Sequence, residues 1–492
     1  MKPFVVSVDL VLRENSQIRI KPSVCIHTNF KYDDRRFFMS EEKKTIFATL
    51  DENVSYMNSI LPIKESFDLL QRDIIIGEKK CTFYFIDGFT KDESMQKLMT
   101  SFFAIKKEDM PSTATGFAKM ALPYVEVDVI GDFDMIVRSL LSGVTCLFID
   151  GYEACLLIDC RTYPARSVDE PDKDKSLRGS RDGFVETIVF NTALIRRRIR
   201  DPHLVMQMFD VGKTSRTDVA LCYMSNRVDK DLLKNLTERI QSLDIDALRM
   251  NQQSLADALF TRKWFNPFPK FKFTERPDTA SVCIMEGKIV LLVDNSPSAM
   301  VIPTSIFDII EEANDYYFPT LTNVYLKISR AVITLATVFL TPLFLLFMQN
   351  TNWLPEMFSF VALKDTVNIP LIYQLLILEL AIDGLRLAAM NTPTMLSTPL
   401  SVIAGIVLGE FAVKSGWFNS EVMLYMSFVA VANYTQPNFE LGYALKFMRL
   451  LLLILTAIFN WVGFAVGTLI VVGSIVFNKT LSGRSYLNVK LN

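Results

Sequence analysis

The chain has 492 residues, half of them hydrophobic and 22% charged, with a formal net charge of −2 at pH 7. Its length suggests about three domains. Because positive and negative charges nearly balance, the composition gives no basic footprint for nucleic acid and no general attraction for acidic substrates.

Residues 1–46 show no clear hydrophobic period, and Met39-Ser-Glu-Glu-Lys-Lys within them resembles a natural protein start. The first residues contain one Lys, a short apolar stretch and no small-residue cleavage site, so they do not have the pattern of an export signal. We therefore predict an unstructured extension over 1–46, either a flexible arm or the product of a misassigned start codon.

Residues 47–160 alternate strand and helix patterns and predict a first soluble α/β subdomain. A polar turn joins two strand-like runs at 73–86, and a further strand pattern covers 125–130. A short helix is expected around 134–141, followed by paired strands at 144–159.

Residues 161–182 are charged, poor in apolar residues and interrupted by proline, which indicates a linker. Residues 183–325 predict a second α/β subdomain with a helix through 184–199, a strand at 218–224 and a hairpin at 281–294. Four arginines lie between Arg196 and Arg200, and we expect a solvated helix face there, although phosphate binding is an alternative.

Residues 331–348 carry no charge, and a run of this length spans the roughly 30 Å hydrocarbon core of a bilayer. We predict an all-α polytopic membrane domain over 326–480 and a short tail over 481–492. Lys327 and Arg330 precede the first span, so the positive-inside rule places the soluble region on the cytoplasmic side.

The rest of the membrane part is irregular. Residues 370–390 are long enough to cross but hold three charges, and the apolar pieces at 401–413 and 422–432 are short. Residues 449–477 would form a helix of roughly 43 Å, too long for one upright span. They form either a tilted or kinked helix or two thin spans that turn near 460–463. We expect four to five helices with broken or re-entrant segments.

Three charged residues of this region, Glu379, Asp383 and Arg386, have the i, i+4, i+7 spacing of one helix face. Charges at bilayer depth are costly unless they are paired or hydrated. The face is therefore a candidate for lining or gating a pore. The alternative is an internal Arg386–Asp383 pair that only fixes packing.

Glu410 ends a short apolar segment that carries the small-xxx-small spacing of Gly405 and Gly409. A carboxylate there suits an ion-coordinating half-helix. The alternative is that Glu410 marks the membrane interface. Gly463 and Gly467 repeat the spacing, and we expect them to serve packing.

Cysteines and histidines offer little chemistry. The sequence has two His and no CxxC, and all seven Cys precede the membrane part, which fits reduced thiols rather than a metal site. The sequence has no P-loop, GxGxxG, HExxH, GxSxG or kinase motif set. We expect a non-enzymatic protein without a metal or cofactor.

Five segments, in this order, resemble the A subunits of spore germinant receptors, the GerA family, over roughly residues 60–480. They are Glu170-Pro171, Arg178–Phe184, Asn191–Ile199, Thr274–Asp278 and Asp315–Tyr317. The motif positions carried over are Arg178, Gly179, Arg181, Asp182, Gly183, Phe184, Glu275, Arg276, Pro277 and Asp278. Three membrane segments, Phe339–Pro342, Val367–Pro370 and Gly409–Lys414, resemble one branch of the family.

The resemblance implies a multi-pass protein of the spore inner membrane with its soluble region on the core side. It also implies a pentameric homo-oligomer with a central ion path, which releases monovalent cations or amplifies their release during germination. The implied partners are a small membrane protein, other receptor subunits and membrane lipid, without nucleic acid. Two alternatives remain open: a non-conducting scaffold of receptor complexes, and a secondary transporter that uses the broken helices.

Overall fold

A computed structural model describes most of the chain after the N-terminal extension. The described residues are 44–121, 126–163, 180–260, 266–312, 315, 317–364, 366–391, 405–481, 483 and 485–487. The predictions for residues 1–43, for most of the linker and for Arg178 and Gly179 lie outside the described residues.

The first subdomain is a five-stranded antiparallel sheet with helices on both faces. Its strand order is β1-β2-β4-β5-β3. One face packs with α1 and α4, and the other packs with α2 and α3. The elements are α1 (Leu50–Ile60), β1 (Leu69–Ile76), β2 (Lys79–Ile86), α2 (Asp92–Phe103), α3 (Ala114–Ala121), β3 (Val127–Ile130), α4 (Phe133–Leu141), β4 (Thr145–Ile149) and β5 (Cys155–Ile158).

The second subdomain has the same architecture. Its sheet is antiparallel with the order β6-β7-β9-β10-β8, covered by α5 and α8 on one face and by α6 and α7 on the other. The elements are α5 (Ile188–Arg198), β6 (Leu204–Val211), β7 (Thr217–Met224), α6 (Lys230–Gln241), α7 (Asn251–Leu259), β8 (Lys272–Thr274), α8 (Pro277–Met285), β9 (Ile289–Val293), β10 (Ala299–Ile302) and α9 (Ile306–Ile310).

The two subdomains repeat one topology, and specific side chains repeat with it. Asn53 in α1 and Asn191 in α5 each exchange two hydrogen bonds with the backbone of the residue six positions earlier. Asp150 after β4 and Asp294 after β9 each accept a hydrogen bond of 3.1 Å from the first amide of α1 and α5, respectively. The subdomains are therefore a structural duplication that the sequence analysis did not detect.

A buried ion pair joins the two subdomains. Arg196 of α5 is fully buried, and its Nε lies 2.7 Å from the Asp68 carboxylate, just before β1. Ser66 donates to Asp68 and accepts from the Met206 amide of β6, while the Phe67 amide donates to the Met206 carbonyl. The expectation of a solvated arginine face is wrong for Arg196, because its partner comes from the other subdomain.

Residues 281–285 form the end of helix α8 rather than the first strand of a hairpin. The helix begins at Pro277, whose fixed φ suits the first turn, and Asp278 follows in that turn. Six of its nine residues are buried, and in so short a run no period distinguishes a helix from a strand, so SVCIM was misread as a strand.

The C-terminal third is helical, and its first long helix begins at Thr320, six residues before the predicted start of the membrane domain at 326. Two of its helices, α10 and α14, are long and apolar enough to cross a membrane. The helices are α10 (Thr320–Gln349), α11 (Leu371–Asn391), a π-helical turn Gly405–Phe411 that continues as α12 (Ala412–Lys414), α13 (Ser420–Tyr434) and α14 (Phe439–Val476).

Helix α14 folds back on itself at Asn460, which has φ 53° and ψ −133°. A Cβ on Gly463 would collide with the Leu455 carbonyl oxygen, and the Ser474 hydroxyl lies 3.6 Å from the Met448 sulfur. In a straight helix these pairs would be about 12 and 39 Å apart. The segment is therefore two antiparallel arms, 439–459 and 461–476, as the second sequence alternative predicts.

The second arm returns the chain to the soluble region. Lys270 donates to the Lys479 carbonyl at 2.7 Å, and the buried Tyr486 donates to the Pro269 carbonyl at 2.6 Å. The tail is thus docked on the second subdomain at the end where α10 also begins.

Candidate functional site: a buried charge cluster between the membrane helices

Two acids of α11 meet two bases of α14 inside the helical region. Glu379 forms a bidentate pair with Arg449, with Nε to Oε1 at 2.6 Å and Nη2 to Oε2 at 2.9 Å. Lys446 pairs with Asp383 and lies 3.4 Å from the second Glu379 oxygen. Two negative charges are thus balanced by two positive charges, and we call these four residues the charge cluster.

The charge cluster is buried except at one residue. The side chains of Glu379, Lys446 and Arg449 are 3–5% exposed, whereas that of Asp383 is 32% exposed. Buried charges require partners of this kind, because each unpaired ion loses its hydration without compensation. Asp383 is therefore the most exposed member of the cluster.

Helix α10 completes the cluster from a third side. Arg449 Nη1 donates to the Thr337 carbonyl at 2.8 Å, and Lys446 donates to the Glu379 carbonyl at 3.3 Å. Thr337 lies seven residues, about 10 Å of helix, beyond Arg330, the last charge before the uncharged run. The contact with Thr337 therefore lies inside the uncharged run of α10 rather than before it.

Arg386 does not pair with Asp383. Its guanidinium instead stacks on three aromatic rings, at 3.9 Å from the Phe439 centroid, 4.7 Å from Tyr443 and 5.3 Å from Tyr434. Such cation–π contacts stabilise a cation that lacks a carboxylate partner. The predicted internal Arg386–Asp383 pair is wrong, because Lys446 occupies that position beside the acid.

Three neighbouring cavities lie between the second subdomain and the charge cluster, and each shares lining residues with the next. A groove of about 580 Å³ lies between the second subdomain and residues 437–440, and a cleft of about 440 Å³ lies beside α11 and α13. A cavity of about 10 Å³, room for about one water, touches the cluster. Arg386, Asn433 and Tyr434 line both the cleft and this small cavity, so they separate the two.

Glu410 is not part of the charge cluster. It pairs with Lys414, one turn further along, and its side chain is 61% exposed. A Cβ on Gly405 or Gly409 would meet no atom of the described residues within 4 Å. By contrast, Gly467 lies against Leu452 in the other arm of α14, as expected for a packing glycine.

Sequence reasoning missed Lys446 and Arg449. Only Arg386 was considered as an ion-pair partner for the two acids of α11, because Arg386 lies on the same helix. The available signal was the i, i+3 spacing of Lys446 and Arg449, which places both charges on one face at the start of a long apolar run.

The family motif positions form a second polar site in the soluble region. Arg276 donates to Asp278 at 2.6 and 3.0 Å and to the Ser180 carbonyl at 3.1 Å. Tyr317 donates to the same carboxylate at 2.5 Å, and Asp182 pairs with Arg198. The motif residues Gly183 and Phe184 follow, and the Phe184 amide donates to the Glu275 carbonyl. The motifs therefore join the end of the linker to the start of α10.

Burial alone would raise the pKa of the Asp278 carboxyl, but the hydrogen bonds from Arg276 and Tyr317 outweigh it and hold the pKa below its usual value. Within the described ranges, no three His, Cys, Asp or Glu side chains come together as metal ligands. In the charge cluster and in the motif site, the charged side chains named above pair with one another.

A family model described as Bacillus/Clostridium GerA spore germination protein matches residues 56–491. The chain belongs to the GerA family. Stage V sporulation protein AF of Bacillus subtilis is 34% identical to it over 90% of each chain. Spore germination protein KA of the same organism is 25% identical over 82% of this chain and 75% of its own. The branch of the GerA family indicated by the three membrane segments is that of stage V sporulation protein AF, and this resemblance is confirmed.

One solved structure also matches this GerA-family chain, the N-terminal domain of the A subunit of the Bacillus megaterium spore germinant receptor GerK3. It is 22% identical, with a TM-score of 0.41, and the match covers 53% of this chain and 97% of that one. At this score the match supports no further argument. Membership in the GerA family supports a role in spore germination.

Proposed function

We propose that this protein is a non-enzymatic, oligomeric subunit of an ion channel that releases monovalent cations, or amplifies their release, during spore germination. It would reside in the spore inner membrane as a multi-pass protein, with its two α/β subdomains on the core side. Other receptor subunits and a small membrane protein are the partners that the family implies.

One observation carries this proposal: Glu379 and Asp383 lie between apolar helices beside a small cavity that shares lining residues with a larger cleft. Ion paths require polar groups in a hydrated passage, and intramembrane acids mark such passages. In the present conformation Lys446 and Arg449 neutralise both acids, and Arg386 closes the small cavity. This is the arrangement expected of a closed state.

Opening would then consist of separating α11 from α14. Without Lys446, Asp383 becomes a cation site beside the small cavity, and Glu379 follows once Arg449 withdraws. A stimulus that disfavours the closed state by about 1.4 kcal/mol raises the ratio of open to closed protein about tenfold. Displacement of the soluble subdomains is a suitable stimulus, because they contact both α10 and the tail after α14.

A scaffold without conduction is the second candidate. The full neutralisation of the charge cluster favours it, since a set of ion pairs between α11 and α14 also fixes helix packing without any ion path. Passive leakage from vesicles distinguishes a channel from a scaffold. A secondary transporter would in addition require a coupled substrate gradient.

The test is reconstitution of the full chain in liposomes loaded with K⁺. A channel releases K⁺ passively, and we expect E379Q/D383N to change that release several-fold by weakening the closed state. E356Q is the matched control, because Glu356 is an exposed acid in the loop after α10. Vesicles that stay tight with the wild-type chain, alone and with its membrane partner, would overturn the channel proposal in favour of the scaffold.

A further inference from the structure

The membrane-proximal part of α10 exposes a regular apolar stripe. Its residues are 59–83% exposed and follow one another at intervals of 4, 3, 4 and 3 positions. This is the a/d pattern of a heptad, whose period of 3.5 residues keeps one seam facing a partner helix. We call these residues the α10 seam: Leu321, Tyr325, Ile328, Val332 and Leu335.

The first half of the seam precedes the uncharged run of α10, so we expect it to lie outside the hydrocarbon core. Leu321, Tyr325 and Ile328 precede the uncharged run at 331–348, on turns that also carry Lys327 and Arg330. These two cations pair with acids that follow α9 of the soluble region: Lys327 with Glu311 at 2.8 Å, and Arg330 with Glu312 at 2.6 Å. Three large side chains are thus exposed at the level of the soluble region, where an apolar surface needs a protein partner.

The distribution of charges around the seam allows an identical helix to pack against it. The positions that flank an a/d seam decide whether identical helices repel one another. Here they are uncharged: Thr322, Val324, Ser329 and Ala331. Lys327 and Arg330 lie on the other side of the helix, where the soluble region neutralises them. Identical copies therefore meet without like-charge repulsion.

Membrane insertion also fixes the geometry. All copies of one membrane protein share one orientation, so their α10 helices run parallel, and identical seams pair in register. We infer that the α10 seam is the surface through which this chain self-associates, with a second copy of the same chain as its occupant. This inference rests on the oligomeric part of the proposed function and not on conduction.

The seam leaves the charge cluster undisturbed. Thr337, whose carbonyl accepts from Arg449, is two positions past Leu335 and lies on the buried side of α10. Self-association thus uses one side of α10, and the charge cluster uses the other. Each copy in an assembly keeps its own set of ion pairs.

The test is disulfide cross-linking of the full chain in liposomes, in a C25S background. The other six cysteines are buried in the structure and unsuited to cross-linking. With I328C we expect most of the chain to form covalent dimers under mild oxidation, because in-register d positions face one another. K327C is the matched control, one residue away on the outer side, and we expect at least fivefold less dimer.

A second pair of variants tests self-association without cysteine cross-linking. Tyr325→Glu places like charges in the seam, and we expect it to lower the oligomer mass measured in mild detergent, whereas Thr320→Glu, at an exposed position off the seam, does not. Equal cross-linking of I328C and K327C would overturn the inference. Cross-linking of I328C to a different, smaller protein in native membranes would also overturn it. Dimers without K⁺ release would leave the seam standing and refute conduction alone.

Discussion

Asn350 and Asn460 exchange two side-chain hydrogen bonds, with Asn350 Nδ2 to Asn460 Oδ1 at 2.5 Å and Asn460 Nδ2 to Asn350 Oδ1 at 3.2 Å. The first residue ends α10 and the second forms the turn between the arms of α14. This pair closes the helical region at the end opposite the soluble subdomains. It ties the only two helices among the described residues that are long and apolar enough to span.

Asn350→Ala should destabilise the helical region by about 1–3 kcal/mol, because it leaves the Asn460 amide without its partner. Thermal unfolding of the purified full chain in detergent measures the loss. Thr351→Ala is the matched control, since Thr351 is the next residue and exposed. An unchanged midpoint for Asn350→Ala would show that the pair does not hold the turn.

Arg449→Gln should destabilise the chain by about 3–5 kcal/mol, because Glu379 would remain buried with its bidentate partner removed. Adding Glu379→Gln should recover a large part of that loss, since no uncompensated charge then remains between these two positions. A double-mutant cycle on denaturant unfolding measures the coupling. Additive effects of the two substitutions would contradict the pairing.

Asp68→Asn and Arg196→Gln should each loosen the contact between the two subdomains, because each leaves one buried partner unpaired. We expect faster proteolysis of the soluble region in the full-length chain, with cleavage between the subdomains. Arg197→Gln is the control, since Arg197 is the exposed neighbour of Arg196. Identical cleavage rates for all three variants would exclude a coupling role.

Acid should weaken the Arg276–Asp278–Tyr317 site. The pKa of Asp278 is lowered in the folded chain, so its contribution is complete above its unfolded pKa of about 3.9 and is lost as the pH falls through the lower folded value. Unfolding free energy measured between pH 5 and pH 2.5 should therefore fall less steeply in Asp278→Asn than in the wild type. A steeper fall in the variant would show that folding does not lower the pKa of Asp278.

Native cysteines should resist alkylation at pH 8. Burial raises the pKa of Cys81 to about 12 and that of Cys160 to about 11, and the thiolate is the reactive form. We expect no more than one thiol per native chain to react with iodoacetamide, and all seven to react in denaturant. Rapid labelling of the native C25S variant would show that the buried strands open readily.

The strands were predictable where local patterns decide structure. The hairpin at Leu69–Ile86 and the strand pair at Thr145–Ile158 follow from apolar runs bounded by polar turns, and both are present. Helix α8 was misread because a short apolar run has no diagnostic period. Pro277 in the first turn was the better indication that a helix begins there.

The charge cluster was only half predictable. Spacing along one helix identified the face of Glu379 and Asp383, because that face depends on local geometry alone. The partners of both acids lie more than 60 residues away on α14, and no periodicity links positions at that distance. The same limit explains Arg196, whose partner Asp68 precedes it by 128 residues.

The membrane helices begin and end on the same subdomain. Glu311 and Glu312 hold the start of α10, while Lys270 and the Pro269 carbonyl hold the segment after α14. Because the helical region is attached to the second subdomain at both of these points, it cannot rotate freely about either attachment. We therefore expect a tilt of the second subdomain to displace α10 and the second arm of α14 together, and so to shift both helices relative to Arg449.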